Sequence, residues 1–142
     1  MEKIYCNNPK TIPFKFEHCY KNENIDVCND ALEAIERLSK GEIVARFEYG
    51  DSMLPLLESG EYAVLVPNQK IEVGDAVFCN VNGYIMTHMV MMISNVRGKP
   101  MYLIGSPNYN SNGTFNIYGW TSEIYAKAYK TNVFEKESEY SY

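Results

Sequence analysis

A mostly β domain is the fold class this sequence predicts: a curled antiparallel sheet or small barrel with one short N-terminal amphipathic helix. Three observations predict it. Asn82-Gly83 joins two apolar runs and is the strongest short hairpin signal a sequence can carry. Residues 62–66 (YAVLV) form a continuous apolar run that Pro67 ends. From Gly41 onward, strand-like runs recur at short spacing, punctuated by SG, VGD, NG, RGK and NG.

The elements follow in order. Residues 1–28 mix Pro, Asn and aromatics without a clean period and read as an irregular arm. A helix is expected over 30–40: Asp30 and Glu33 have capping-box spacing, Leu32, Ile35 and Leu38 recur on one side, and Gly41 can close the end. Strands are expected over 42–47 (EIVARF), 62–66, 76–81, 84–93 and 101–104. A last one is expected over 124–129, with helix as its competitor. The acidic stretch 135–142 reads as a flexible tail, which leaves 29–134 as a single domain.

Composition narrows the function classes. With 142 residues, the chain is long enough for one domain with a real core. Thirteen basic and 18 acidic residues give a net charge of −5 without a Lys/Arg cluster, which argues against a nucleic-acid partner. No apolar run approaches the ~20 residues of a membrane helix. The first residues lack the apolar stretch of a secretory signal, so a cytoplasmic protein with no membrane partner is expected. Cys6, Cys19, Cys28 and Cys79 show no CxxC spacing, and only His18 and His88 could assist them. Free structural thiols, no metal and no cofactor are therefore expected.

The chemistry-bearing stretch is YGDSMLP, residues 49–55. Gly50 permits a backbone conformation closed to other residues, and Pro55 biases Leu54 away from the α region. Ser52 between them is a nucleophile, a helix N-cap or a plain turn residue. A serine hydroxyl needs a base. Lys70, Lys99, Lys127, Lys130 and Lys136 lie in turn-like or charged surroundings, where a lysine stays protonated and exposed. His88 lies in the apolar run YIMTHMVMMI, where desolvation favours the neutral imidazole that a general base requires. Taken alone, His88 reads sooner as a core histidine than as a base, and Ser52 equally well as an N-cap. Met86, Met89, Met91 and Met92 read as core, and Pro55, Gly60, Gly74 and Asp75 as turn architecture.

The order of the pieces adds a family resemblance. Gly50-Asp51-Ser52-Met53-Leu54-Pro55 precedes Ser59-Gly60-Glu61-Tyr62-Ala63-Val64, then Val73-Gly74-Asp75-Ala76-Val77, then His88-Met89-Val90. This resembles the shared core of LexA-type self-cleaving repressors and type I signal peptidases, over about residues 32–130. The separation 88 − 52 = 36 is similar to the family layout. Leu103-Ile104-Gly105 and Tyr118-Gly119-Trp120 resemble the closing region of short, phage- and prophage-type members.

The resemblance implies that Ser52 is the nucleophile, its backbone N–H part of an oxyanion hole, and His88 the base. A histidine takes this place in archaeal and endoplasmic-reticulum signal peptidases, whereas LexA-like and bacterial enzymes use lysine. It further implies a substrate cleft at Met53, Gly50 and Asp51. Two features depart from the pattern. The side-chain oxyanion donor of signal peptidases is missing, because Gly50 stands there. The acid that orients the histidine is also missing: Ser106 occupies its place, and Ser106, Asn108 and Asn112 are the weak polar substitutes.

Neither Ala-Gly nor Cys-Gly occurs, and the first 30 residues are too short and acidic for a DNA-reading head. Self-cleaving repressor and membrane-bound signal peptidase are both disfavoured. A stand-alone serine endopeptidase acting on an extended peptide is the leading expectation. Its alternative is a catalytically weak or silent peptidase-fold module that binds a peptide or protein. A third class is an unrelated small β-barrel that binds a ligand. The arm could occupy the peptide groove in cis or within a homodimer.

Overall fold

The computed structural model describes residues 14–15, 25–48, 53, 61–109 and 112–130. They form β1 (Asp26–Val27), α1 (Ala31–Ser39), β2 (Val44–Glu48), β3 (Glu61–Val66), β4 (Ala76–Val81), β5 (Tyr84–Val96), β6 (Lys99–Tyr109), β7 (Phe115–Thr121) and β8 (Ile124–Lys130). The strands build one sheet in the order β1-β2-β3-β8-β4-β5-β6-β7. Every neighbouring pair is antiparallel except β1 with β2.

Local chemistry accounts for the helix and the two tight hairpins. The Asp30 carboxylate accepts the Glu33 N–H at 3.0 Å and caps α1. Gly41, at φ 88°, ends it by donating to the Leu38 carbonyl. The buried stripe is Ala34 and Leu38, and Leu32 points to solvent at 72% exposure. Ala34 and Leu38 face the core cluster, and Leu32 lies on the side of α1 turned away from it. Asn82 (φ 53°) and Gly83 (φ 91°) form the expected hairpin turn between β4 and β5. Arg97 (φ 54°) and Gly98 (φ 78°) form a second two-residue turn between β5 and β6.

Three features differ from the sequence reading. Of the two expected forms, the closed barrel is not found, and the sheet is open. β7 leans back on β4 through side chains: the Thr121 hydroxyl donates to the Asn80 carbonyl at 2.6 Å, and no ladder joins the two strands among the described pairings. β7 was not expected as a strand, since FNIYGWT lacks clean alternation and contains the bulge that interrupts its pairing with β6. Part of the arm also belongs to the fold. β1 pairs with β2, Ile25 and Cys28 are buried, and the Lys15 N–H donates to the Gly74 carbonyl at 2.7 Å. The tail at 135–142, Cys6 and Cys19 lie outside the described residues.

The sheet buries both faces. On the first face, Val44, Ala63, Leu65, Phe78, Met89 and Ala126 pack beneath α1, with Met53 and Cys28 in the same cluster. On the second, Val77, Cys79, Val81, Val90 and Ile104 line the inside of the curl made by β4 to β7. Ile25, Ala45 and Val64 extend that second face behind β2 and β3. Cys28 and Cys79 are free and buried, and burial pushes the Cys79 thiol up to about 12. Among the described residues, no helix is long and apolar enough to cross a membrane.

A buried carboxylate ties the ends of this arrangement together. Asp75 is fully buried, and its Oδ2 accepts the Glu72 N–H at 2.8 Å. Its Oδ1 lies 3.5 Å from Lys15 Nζ and 3.6 Å from Lys127 Nζ. Lys127, expected to be exposed, has only 13% of its side chain accessible because it sits mid-sheet on β8 beside β4. Removing one member of a buried charge set leaves the others uncompensated, at a cost of about 3–5 kcal/mol. Asp75→Asn is therefore expected to lower stability by about that amount in urea unfolding. Glu72→Gln, which breaks only the exposed pair with Lys15, is expected to cost under about 1 kcal/mol.

Candidate functional site

Strand β5 carries most of the site, and its period-two alternation sorts its side chains between the faces. Thr87, Met89 and Met91 point to the first face, where α1 and Met53 pack. Met86, His88 and Val90 point to the second, inside the curl. Met53 is the one residue of the YGDSMLP stretch among the described residues, and it is 5% exposed. Ser52, Gly50, Asp51 and Pro55 lie outside them.

His88 stands opposite Val77 of β4 and is 8% exposed. Its ring lies 4.6 Å from that of Tyr118 on β7, tilted by 52°. Burial pushes the imidazole down to about 4. His88 is thus neutral at pH 7, as a general base requires, but it is a weak proton acceptor. The register pairs Met89 with Gly105, and one further step sets Ser106 across from His88. Ser106 is fully buried, and its hydroxyl donates to Asn108 Oδ1 at 2.9 Å. Asn112 serves its own turn: its Oδ1 accepts the Thr114 N–H at 3.2 Å and the Thr114 hydroxyl at 2.8 Å.

The first face holds a polar group that the sequence reading missed. The Thr87 hydroxyl donates to Glu48 Oε2 at 3.1 Å, and Arg46 Nε lies 3.8 Å from the same oxygen. Arg46 also donates to the Asn29 carbonyl at 3.0 Å and lies over the Phe78 ring. Burial pushes the Glu48 carboxyl up to about 7, against the opposing effects of Arg46 and Thr87. The signal was present in EIVARFE, where Arg46 and Glu48 share the period-two face of the apolar Val44. Charged residues on the inward face of a strand mark a buried polar group. A cleft of about 470 Å³ opens elsewhere, between α1, the β3–β4 connection and β8, lined in part by Leu38, Gln69, Ile71, Tyr102 and Lys127. Among the described residues, no group of three His, Cys, Asp or Glu side chains is placed to hold a metal ion.

No protein-family model, no curated protein and no solved structure matches this chain.

Glu48 and His88 act on stability in opposite directions. Glu48, raised in the fold from 4.5 to about 7, contributes stability that is full below pH 4.5 and lost as pH rises through 7. His88, lowered from 6.5 to about 4, contributes stability that is full above pH 6.5 and lost as pH falls through 4. Each effect is on the order of 3 kcal/mol. Between about pH 4.5 and 6.5 they largely cancel. Against wild type, Glu48→Gln is expected to add a stability rise across that window, and His88→Asn a fall. Urea unfolding from pH 4 to 8 measures both slopes.

Proposed function

We propose that the chain is a module of the LexA/signal-peptidase type of fold that binds an extended peptide or protein partner and hydrolyses it slowly or not at all. The observation that carries this reading is the setting of His88: its ring is buried inside the curl against Tyr118, and a ring titrating near 4 takes up a serine proton poorly.

Cleavage by Ser52 and His88 is the second reading, favoured by the neutral imidazole and by the hydrogen-bonded Ser106–Asn108 pair across from it. Intact mass over time, with a mixed peptide library at pH 4 to 9, separates the two. The binding reading expects wild type and Ser52→Ala to leave the library equally intact while specific peptides co-elute with both proteins. Cleavage that vanishes in Ser52→Ala and in His88→Asn, with a rising limb near pH 4, establishes the peptidase instead.

A further inference from the structure

The hairpin of β5 and β6 runs past the rest of the sheet. The β4 ladder to β5 ends at the pair Ala76–Met89, and the last backbone bonds on that side join Val90 to Asp75 and Gly74. On the far side, β7 joins β6 only from Tyr102 onward. Beyond these points the pairs Ser94–Met101, Asn95–Pro100 and Val96–Lys99 carry a ribbon to the Arg97-Gly98 turn. Met91, the extra residue at the bulge between Val90 and Met92, marks where it leaves the body. A two-stranded ribbon is at best marginally stable alone, so its projection needs a reason.

The two outer edges of this ribbon differ. Exposed edges are ordinarily blunted with Lys, Pro or short length, because a row of free N–H and C=O groups accepts another strand. The β6 edge carries Lys99 and Pro100. The β5 edge over 92–96 (MISNV) carries no charge and no proline, and no strand among the described residues pairs with it. Ile93 and Val96 stand 36% and 51% exposed along it.

Charge indicates what this edge receives. No Asp or Glu occurs from residue 76 to 122, where Arg97 and Lys99 give +2. The remainder holds all 18 acidic residues and 11 basic ones, 11 − 18 = −7, so the protein's −5 is sharply segregated. An acid-free edge ending in two cations is complementary to an extended segment with acidic residues. A second copy would present the same acid-free edge and lacks that complementarity.

We propose that the outer edge of β5 over residues 92–96 docks an extended segment of a partner protein, which adds as a strand and sets acidic side chains against Arg97 and Lys99. This rests on the binding reading above and names its site and partner class. Main-chain bonds supply affinity, Ile93 and Val96 supply apolar contact, and the two cations favour one charge type.

Fluorescent ten-residue peptides of alternating Val and Thr, ended by Glu-Glu, Gln-Gln or Lys-Lys, test this by anisotropy and by hydrogen exchange. The acid-ended peptide is expected to bind at least tenfold tighter than the Gln-ended one and to protect the amides of 92–96. Arg97→Gln with Lys99→Gln is expected to abolish that preference. Ile93→Lys, a blocking charge at an exposed position, is expected to weaken all binding tenfold or more with Tm unchanged. Binding that protects other strands, or that ignores end charge, overturns this site while leaving the binding reading intact. Absence of binding by every peptide, here and in the library, overturns both. Protection of 92–96 that grows with protein concentration alone, with a dimer in sedimentation, assigns the edge to a second copy and overturns the acidic partner.

Discussion

Asp75 is a carboxylate with no access to solvent, and burying such a group is costly unless its charge is met. Here it is met from two directions, by Lys15 from the N-terminal arm and by Lys127 from β8. The Glu72 N–H holds the second oxygen and fixes the approach to β4. Asp75 also passes backbone bonds to β5: its carbonyl accepts the Val90 N–H, next to where Gly74 donates to Val90. Arm, β4, β5 and β8 are thereby registered at one point. The joining of β4 to β5 and the placement of Lys15 both meet at this residue.

From that anchor the division of β5 follows. Once Val90 is pinned beside Asp75, alternation leaves no freedom in which face each neighbour takes. His88 goes inside the curl against Tyr118, and Thr87 goes to the helix side, where it meets Glu48. The two faces therefore receive groups shifted in opposite directions, a histidine pushed down on one and a carboxyl pushed up on the other. Desolvation is the main cause of both shifts. It acts against the charged form in each case, and so moves the two groups in opposite directions.

The segregation of charge is equally physical. Strands β4 to β7 bury Val77, Cys79, Val81, Val90 and Ile104 inside their curl, yet their exposed positions also carry no acidic side chain. The acidic residues lie in the remainder of the sequence, and the two cations sit at the hairpin tip, far from the core. The sequence thus carries a segregation of charge that its net value of −5 conceals.

The sequence by itself determined the elements whose cause is local. The Asp30 cap, the Asn82-Gly83 turn and the run of 62–66 need only neighbours within a few residues, and each lies where its residues require. Its choice of His88 as a desolvated, neutral imidazole was also legible, because the surrounding run is apolar on both faces. Tertiary structure decided what depends on distant partners. Which stripe of α1 is buried follows from the sheet beneath it, and Leu32 lost its place to Ala34. Whether the sheet closes depends on where β7 ends against β4, which no local pattern encodes. The burial of Lys127 comes from Asp75, 52 residues earlier, and the pairing of Glu48 with Thr87 spans 39 residues. Period two specifies which side chains share a face, but the partner across that face is set only when the strands are laid side by side.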